Sequence, residues 1–77
     1  MTRQQVANHY NNRHPDPNIM YQVVQAWHKD VKGIDWNPSQ VNIMMLERAY
    51  QDALEGLGKH HGVHLLYDKN KRFIKAY

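Results

Sequence analysis

The fold turns on Asp16-Pro17-Asn18-Ile19-Met20-Tyr21-Gln22-Val23-Val24-Gln25-Ala26-Trp27-His28-Lys29-Asp30-Val31-Lys32-Gly33. An aspartate side chain can accept a bond from a first-turn N–H. Proline suits the first helical position, where its missing N–H would be unpaired anyway. Ile19, Met20, Val23, Val24, Trp27 and Val31 then recur at helical spacing, so the stretch predicts an amphipathic helix. Gly33 closes it as a left-handed cap. The opposite face carries Tyr21, Gln22, Gln25, His28, Lys29 and Lys32.

The start signal returns at Asn37-Pro38-Ser39-Gln40, with Trp36 and Val41 spaced for a hydrophobic staple across the cap. A helix is predicted from there to about Leu57, ending in Gly56 and Gly58. Ile43, Leu46, Ala49, Tyr50, Ala53, Leu54 and Leu57 share one broad face of it, and Glu47, Arg48, Gln51, Asp52 and Glu55 share the other. Met44 falls among the polar set, an apolar side chain pointing outward. The short connection predicts that these two helices form an antiparallel hairpin.

On either side lie weaker elements. Thr2-Arg3-Gln4-Gln5 reads as a capping box opening a helix to about Asn11, with Val6, Ala7 and Tyr10 as its apolar anchors. So short a helix must dock to persist, and the order of residues 1–17 is left open. After Gly58 the period changes. Val63-His64-Leu65-Leu66-Tyr67 and Arg72-Phe73-Ile74-Lys75-Ala76-Tyr77 flank Asp68-Lys69-Asn70-Lys71, a β-hairpin pattern in which Asn70 tolerates a left-handed turn conformation. Two strands alone are marginal in water, so one face must lie on the helices. The expected architecture is α+β: a short N-terminal helix, an antiparallel αα-hairpin, and a C-terminal β-hairpin packed on the helices. Its core should centre on Met20, Val23, Trp27, Val31, Leu46, Ala49, Tyr50, Ala53, Leu54 and Leu57, with Leu65 and Phe73 or Ile74 from the hairpin.

Seventy-seven residues make one small domain, 1–77, with a thin core that buries about 60–65% of the surface the unfolded chain exposes. A hydrophobic fraction of 42% is enough to fold rather than remain disordered. The chain has no cysteine, so disulfides and Cys-based metal or iron–sulfur sites are excluded. No apolar run reaches the roughly 20 residues needed to span a bilayer, and no secretory signal opens the chain. A cytoplasmic protein without a membrane association is expected.

The net charge of +3 hides a dipolar pattern. Residues 1–33 sum to +2. Arg48 against Asp35, Glu47, Asp52 and Glu55 makes 34–57 −3, and Lys59, Lys69, Lys71, Arg72 and Lys75 against Asp68 make 58–77 +4. Such a field can steer a partner of either sign.

Chemistry has little material. His60, His61 and His64 form a His-His-x-x-His cluster, and imidazole is a common metal ligand, but the segment lies at a helix end beside Gly58 and Gly62 and lacks the glutamate of zinc proteases. Solvated histidines near the negative end of a helix dipole explain the cluster as well, so no metal and no cofactor are expected. Ser39 and Thr2, the only hydroxyl nucleophiles of their types, sit where caps sit. Histidine, lysine, arginine and tyrosine in the tail are the raw material of a metal-independent nuclease, but nothing makes them converge. No enzyme is expected.

Two binding readings remain. The first is a small regulatory or inhibitory protein that binds another protein through Met44, Glu47, Gln51 and Glu55 on the third helix. The alternative is a nucleic-acid-binding module. Lys69, Lys71, Arg72 and Lys75 would meet phosphates beside Tyr77, with Tyr21, Gln25, Lys29 and Lys32 from the second helix. Carboxylates on the third helix would repel phosphates, which is why the second helix is the better nucleic-acid face. Lysines on an exposed hairpin also have a plainer use, blocking edge-to-edge aggregation. A homodimer is left open by the thin core and exposed aromatics.

Overall fold

A computed structural model describes residues 1–40 and 42–77. Helix α1 (Arg3–Asn11) is followed by α2 (Pro17–Trp27), which runs on as a π turn over His28–Lys32. Two 3-10 turns, Pro38–Gln40 and Ile43–Met45, lead into α3 (Leu46–His61). Strands β1 (Leu65–Tyr67) and β2 (Phe73–Ala76) pair antiparallel as a two-stranded sheet. The architecture is the expected α+β, with α3 as the central element: α2 and α1 both pack on it, and β2 packs on α1.

The caps fall where the sequence puts them at α1 and α2. Thr2 Oγ1 accepts from the Gln5 N–H at 3.2 Å, and Gln5 Oε1 accepts from the Thr2 N–H at 2.9 Å, completing the capping box. Asp16 Oδ1 accepts from the Ile19 N–H at 2.9 Å. Gly33 ends the second helix at φ 67°, in the left-handed conformation that glycine takes without a Cβ penalty. Docking also settles α1: Val6 and Ala7 are fully buried, and Val6 belongs to the same core as Val23, Val24, Trp36, Tyr50, Ala53, Leu54 and Leu57.

Several expectations need correction. The third helix does not start at Asn37. There the Asn37 side chain takes the Ser39 N–H at 3.1 Å and closes a 3-10 turn, and Asn42, with extended backbone, restarts the chain by taking the Met44 N–H at 3.0 Å. Asparagine side chains competing for backbone donors defer the α-helix to Leu46. Ile43, expected on the core face, is consequently two-thirds exposed. The staple between Trp36 and Val41 concerns a residue outside those described. Trp36 itself is buried in the core.

Nor does α3 stop at Gly56 and Gly58. It passes through both and ends at Gly62, φ 72°. These two glycines serve contact rather than termination. A Cβ on Gly56 would stand 2.3 Å from Trp27 Nε1, and one on Gly58 would stand 2.7 Å from Tyr10 Oη. The missing side chains let α2 and α1 approach α3 this closely.

Val31, expected in the core, is 42% exposed. The π turn is the reason: its wider winding takes residues after Trp27 off the apolar stripe of α2. Tyr21 on α2 and His28 at the start of the π turn face Trp36, whose ring lies 6.2 Å from that of Tyr21 and stacks on that of His28 at 5.5 Å.

The hairpin is seated by different residues from those expected. Leu65 and Ile74 stay exposed, Phe73 is half-buried, and the buried residue is Ala76. In the turn, Asp68 Oδ1 accepts from the N–H groups of Asn70 and Arg72 at 2.8 and 2.9 Å. The left-handed residue is Lys71, φ 63°, rather than Asn70.

Candidate functional site

An open groove of about 440 Å³ lies between α3 and β1. Leu54, Gly58 and the ring of Tyr10 line it from the helical side, Leu65 and Tyr67 from the strand, and Gln51, Glu55 and Lys59 stand along its helical rim. Helical periodicity builds this rim. Glu47, Gln51, Glu55 and Lys59 are four residues apart and form one exposed line on α3. The absent side chain of Gly58 makes room for Tyr10, whose Oη donates to the Leu54 carbonyl at 3.0 Å. Burial pushes the Tyr10 phenol above its ordinary value, and the negative charge of Glu55 adds to the rise, with Tyr67 and Tyr50 contributing. Tyr10 therefore stays neutral as a donor, and the groove combines an apolar floor with a polar rim. That is the makeup of a binding cleft for a peptide or protein side chain.

Of the residues expected to bind a protein, Gln51 and Glu55 lie on this groove, and Glu47 continues their line toward the helix start. Glu55 is paired with Lys59 at 3.1 Å across one helical turn, a solvated pair of small energetic consequence. Glu47 is exposed and has no ion-pair partner among the described residues. Met44 stands in the 3-10 turn before α3 rather than within the helix, and at 88% exposure it is the most exposed of the large apolar side chains among the described residues.

The residues of the nucleic-acid reading divide into two groups. Three of those on the second helix are already engaged. Tyr21 lies against Trp36, the Lys29 ammonium is 3.3 Å from the Asp35 carboxylate, and the Lys32 ammonium sits 4.2 Å over the Trp27 ring. Gln25 and Lys29 border a second, more polar hollow of about 410 Å³ with Asp30 and Asp35. On the hairpin, Lys69, Lys71, Arg72 and Lys75 are exposed. Tyr77 stacks on His64 with ring centroids 5.3 Å apart.

The three histidines of the tail take three different environments. His60 is exposed and meets His61 edge-on. The Nε2 of His61 bonds Asp30 Oδ2 at 3.0 Å, and His64 faces Tyr77. Among the described residues no group of three or more histidine, aspartate or glutamate side chains is placed to hold a metal ion. Asp30 also receives the Met1 ammonium. Burial pulls its carboxyl upward, but the bonds and charges of that ammonium and of His61 outweigh this and hold it below its ordinary value.

Sequence reasoning did not assign Tyr10, Leu54, Gly58 and Leu65 to a site. Gly58 gave no such signal in sequence, where it reads as a helix end; its contact with Tyr10 comes from another helix. Comparison with protein-family models, with curated proteins and with solved structures finds no match to this chain.

Proposed function

We propose that this protein is a small, non-catalytic regulator or inhibitor that acts by binding another protein across the exposed face of α3. The carrying observation is the groove. Its apolar floor of Leu54, Leu65 and Tyr67 adjoins the exposed line Glu47, Gln51 and Glu55, and Met44 stands exposed in the turn that leads into the same helix. A partner presenting an apolar side chain flanked by basic groups complements that surface in both shape and sign. Binding is tested by affinity capture with wild type, Met44→Glu, and Glu47→Lys with Glu55→Lys, after circular dichroism has verified each fold. A partner held by wild type and lost by both variants is the expected result. A partner that survives both variants overturns the assignment to this face.

A nucleic-acid reading has one observation in its favour, the ring pair of His64 and Tyr77 close to Lys75 on the hairpin. Stacked rings beside a cation are what unpaired bases bind. A mobility shift with random single strands that falls steeply with salt, and is lost in Lys71→Glu with Arg72→Glu, is its signature. No shift even at low salt removes it.

A further inference from the structure

The two edges of the hairpin are treated differently. His64 and Tyr77 exchange both backbone bonds, at 2.9 and 3.0 Å. Strand alternation therefore turns the N–H and C=O of Ala76 outward on one side and those of Leu65 outward on the other. The β2 edge is closed. Asn11 Nδ2 donates to the Ala76 carbonyl, the Ala76 N–H donates to Asn11 Oδ1, and Arg13 Nη2 reaches the carbonyls of Phe73 and Ile74. The β1 edge is open: among the described residues no group bonds the outward backbone of Leu65 or Tyr67. Proteins normally blunt such an edge with lysine, proline or a covering loop. Here the basic residues stand in the turn and on β2, while β1 is Leu65-Leu66-Tyr67, all three exposed.

We infer that β1 is a dimerisation edge, and that its occupant is the β1 strand of a second copy of this chain. The copies pair antiparallel about a two-fold axis at Leu66 and join two hairpins into one four-stranded sheet. The sequence is self-complementary in that register. Leu65 lies opposite the partner's Tyr67 and exchanges backbone bonds with it, Leu66 meets its own copy, and His64 lies opposite the partner's Asp68, a base facing an acid. Net charge does not prevent it. Lys75 pairs with Leu66 on its own hairpin, so the two copies of Lys75 are three strand spacings apart, roughly 14 Å. That exceeds the Debye length of about 8 Å at physiological salt. The need is also present, because a two-stranded sheet gains little stability by itself and four strands gain more. The two readings share Leu65 and Tyr67, whose side chains floor the groove and whose backbone would pair in the dimer, but the dimer requires no other molecule, so the chain alone tests it separately.

The chain lacks cysteine, which makes a decisive test available. In the proposed register Leu66 and its copy form a non-hydrogen-bonded pair, with Cα atoms about 4.5 Å apart and within disulfide reach. Full-length Leu66→Cys should cross-link to a covalent dimer under mild oxidation, whereas Ile74→Cys on the closed edge should not. Sedimentation equilibrium of wild type should show a dimer that dissociates on dilution. Leu66→Lys, which sets two like charges on the axis, should lose the dimer while keeping its circular dichroism spectrum. A wild type that stays monomeric at every concentration overturns the proposal. So does a dimer in which Leu66→Cys fails to cross-link, which would place the contact on another surface. If the extended strand of a different protein occupies β1 instead, wild type alone is monomeric and the proposal fails equally.

Discussion

Asn11 holds Ala76 with both ends of its side-chain amide: Nδ2 donates to the Ala76 carbonyl at 3.0 Å, and the Ala76 N–H donates to Oδ1 at 2.7 Å. The amide thus reproduces the pair of bonds that a neighbouring strand would supply, and joins residue 11 to residue 76 across nearly the whole chain. Ala76 is 4% exposed, so these backbone groups have little water to fall back on. Asn11→Ala should cost about 1–3 kcal/mol, the range for stranding buried polar groups. Urea unfolding measures the loss, and amide exchange at Ala76 should accelerate more than exchange in α3. Asn11→Asp keeps the acceptor but sets a carboxylate against the Ala76 carbonyl, so it should not rescue. Equal exchange at Ala76 in all three proteins would show that something else seats the hairpin.

Gly56 and Gly58 lead to a prediction against helix propensity. In an open helix each change to alanine would gain about 1 kcal/mol. Here the new methyl would lie 2.3 Å from Trp27 Nε1 in one case and 2.7 Å from Tyr10 Oη in the other. Both rings are held by packing, and overpacking of this kind costs about 1–3 kcal/mol. Gly56→Ala should therefore lower the Tm and shift the Trp fluorescence, and the penalty should shrink in a Trp27→Leu background. A Tm that rises in the single variant would mean that Trp27 gives way freely.

The two glycines also show where sequence reading stopped. A glycine beyond an apolar stripe usually closes a helix, and Gly33 does so. Gly56 and Gly58 look the same in one dimension, and only the arrival of Trp27 and Tyr10 from two other helices distinguishes them. The caps at Thr2 and Asp16, the hairpin and the α+β order are local signals and were legible. The late start of α3 was legible in part, because Asn37 and Asn42 are both strong competitors for backbone donors. The groove was half legible. Periodicity puts Gln51 and Glu55 on an exposed line, but Tyr10, Leu65 and Tyr67 reach it through contacts distant in sequence, which no spacing rule records.

Acid should weaken the fold in two separate windows. Burial lowers the pKa of His9 from its ordinary 6.5, so the unfolded chain takes up that proton first. Its contribution is complete above pH 6.5 and is lost as pH falls through the lower folded value. Asp30 acts further down. Burial raises its pKa, but the Met1 ammonium and His61 lower it more, so its contribution is complete above the ordinary 3.8 and is lost as pH falls through the lower folded value. Urea midpoints measured against pH should show both declines. His9→Gln should remove the first and leave the second, and Asp30→Asn should do the reverse. A wild-type midpoint that is flat from neutrality down to pH 3.8 would contradict the His9 assignment.

Alkali should act through the groove. Burial raises the phenol pKa of Tyr10, with Glu55 adding to it, and burial alone raises that of Tyr50. The unfolded chain therefore ionises these groups first, near their ordinary 10.0, while the folded chain keeps them protonated. Their stabilisation is complete below that pH and is lost as pH climbs through the higher folded values. Tyr10→Phe removes the Oη bond to the Leu54 carbonyl and should cost about 1 kcal/mol at neutral pH. Above pH 10 the gap to wild type should narrow, because the variant has no phenol to ionise at that position. Denaturant midpoints at neutral and alkaline pH decide it. A gap that stays constant would mean that the Tyr10 hydroxyl is already in water, and that the floor of the groove is wetter than its geometry shows.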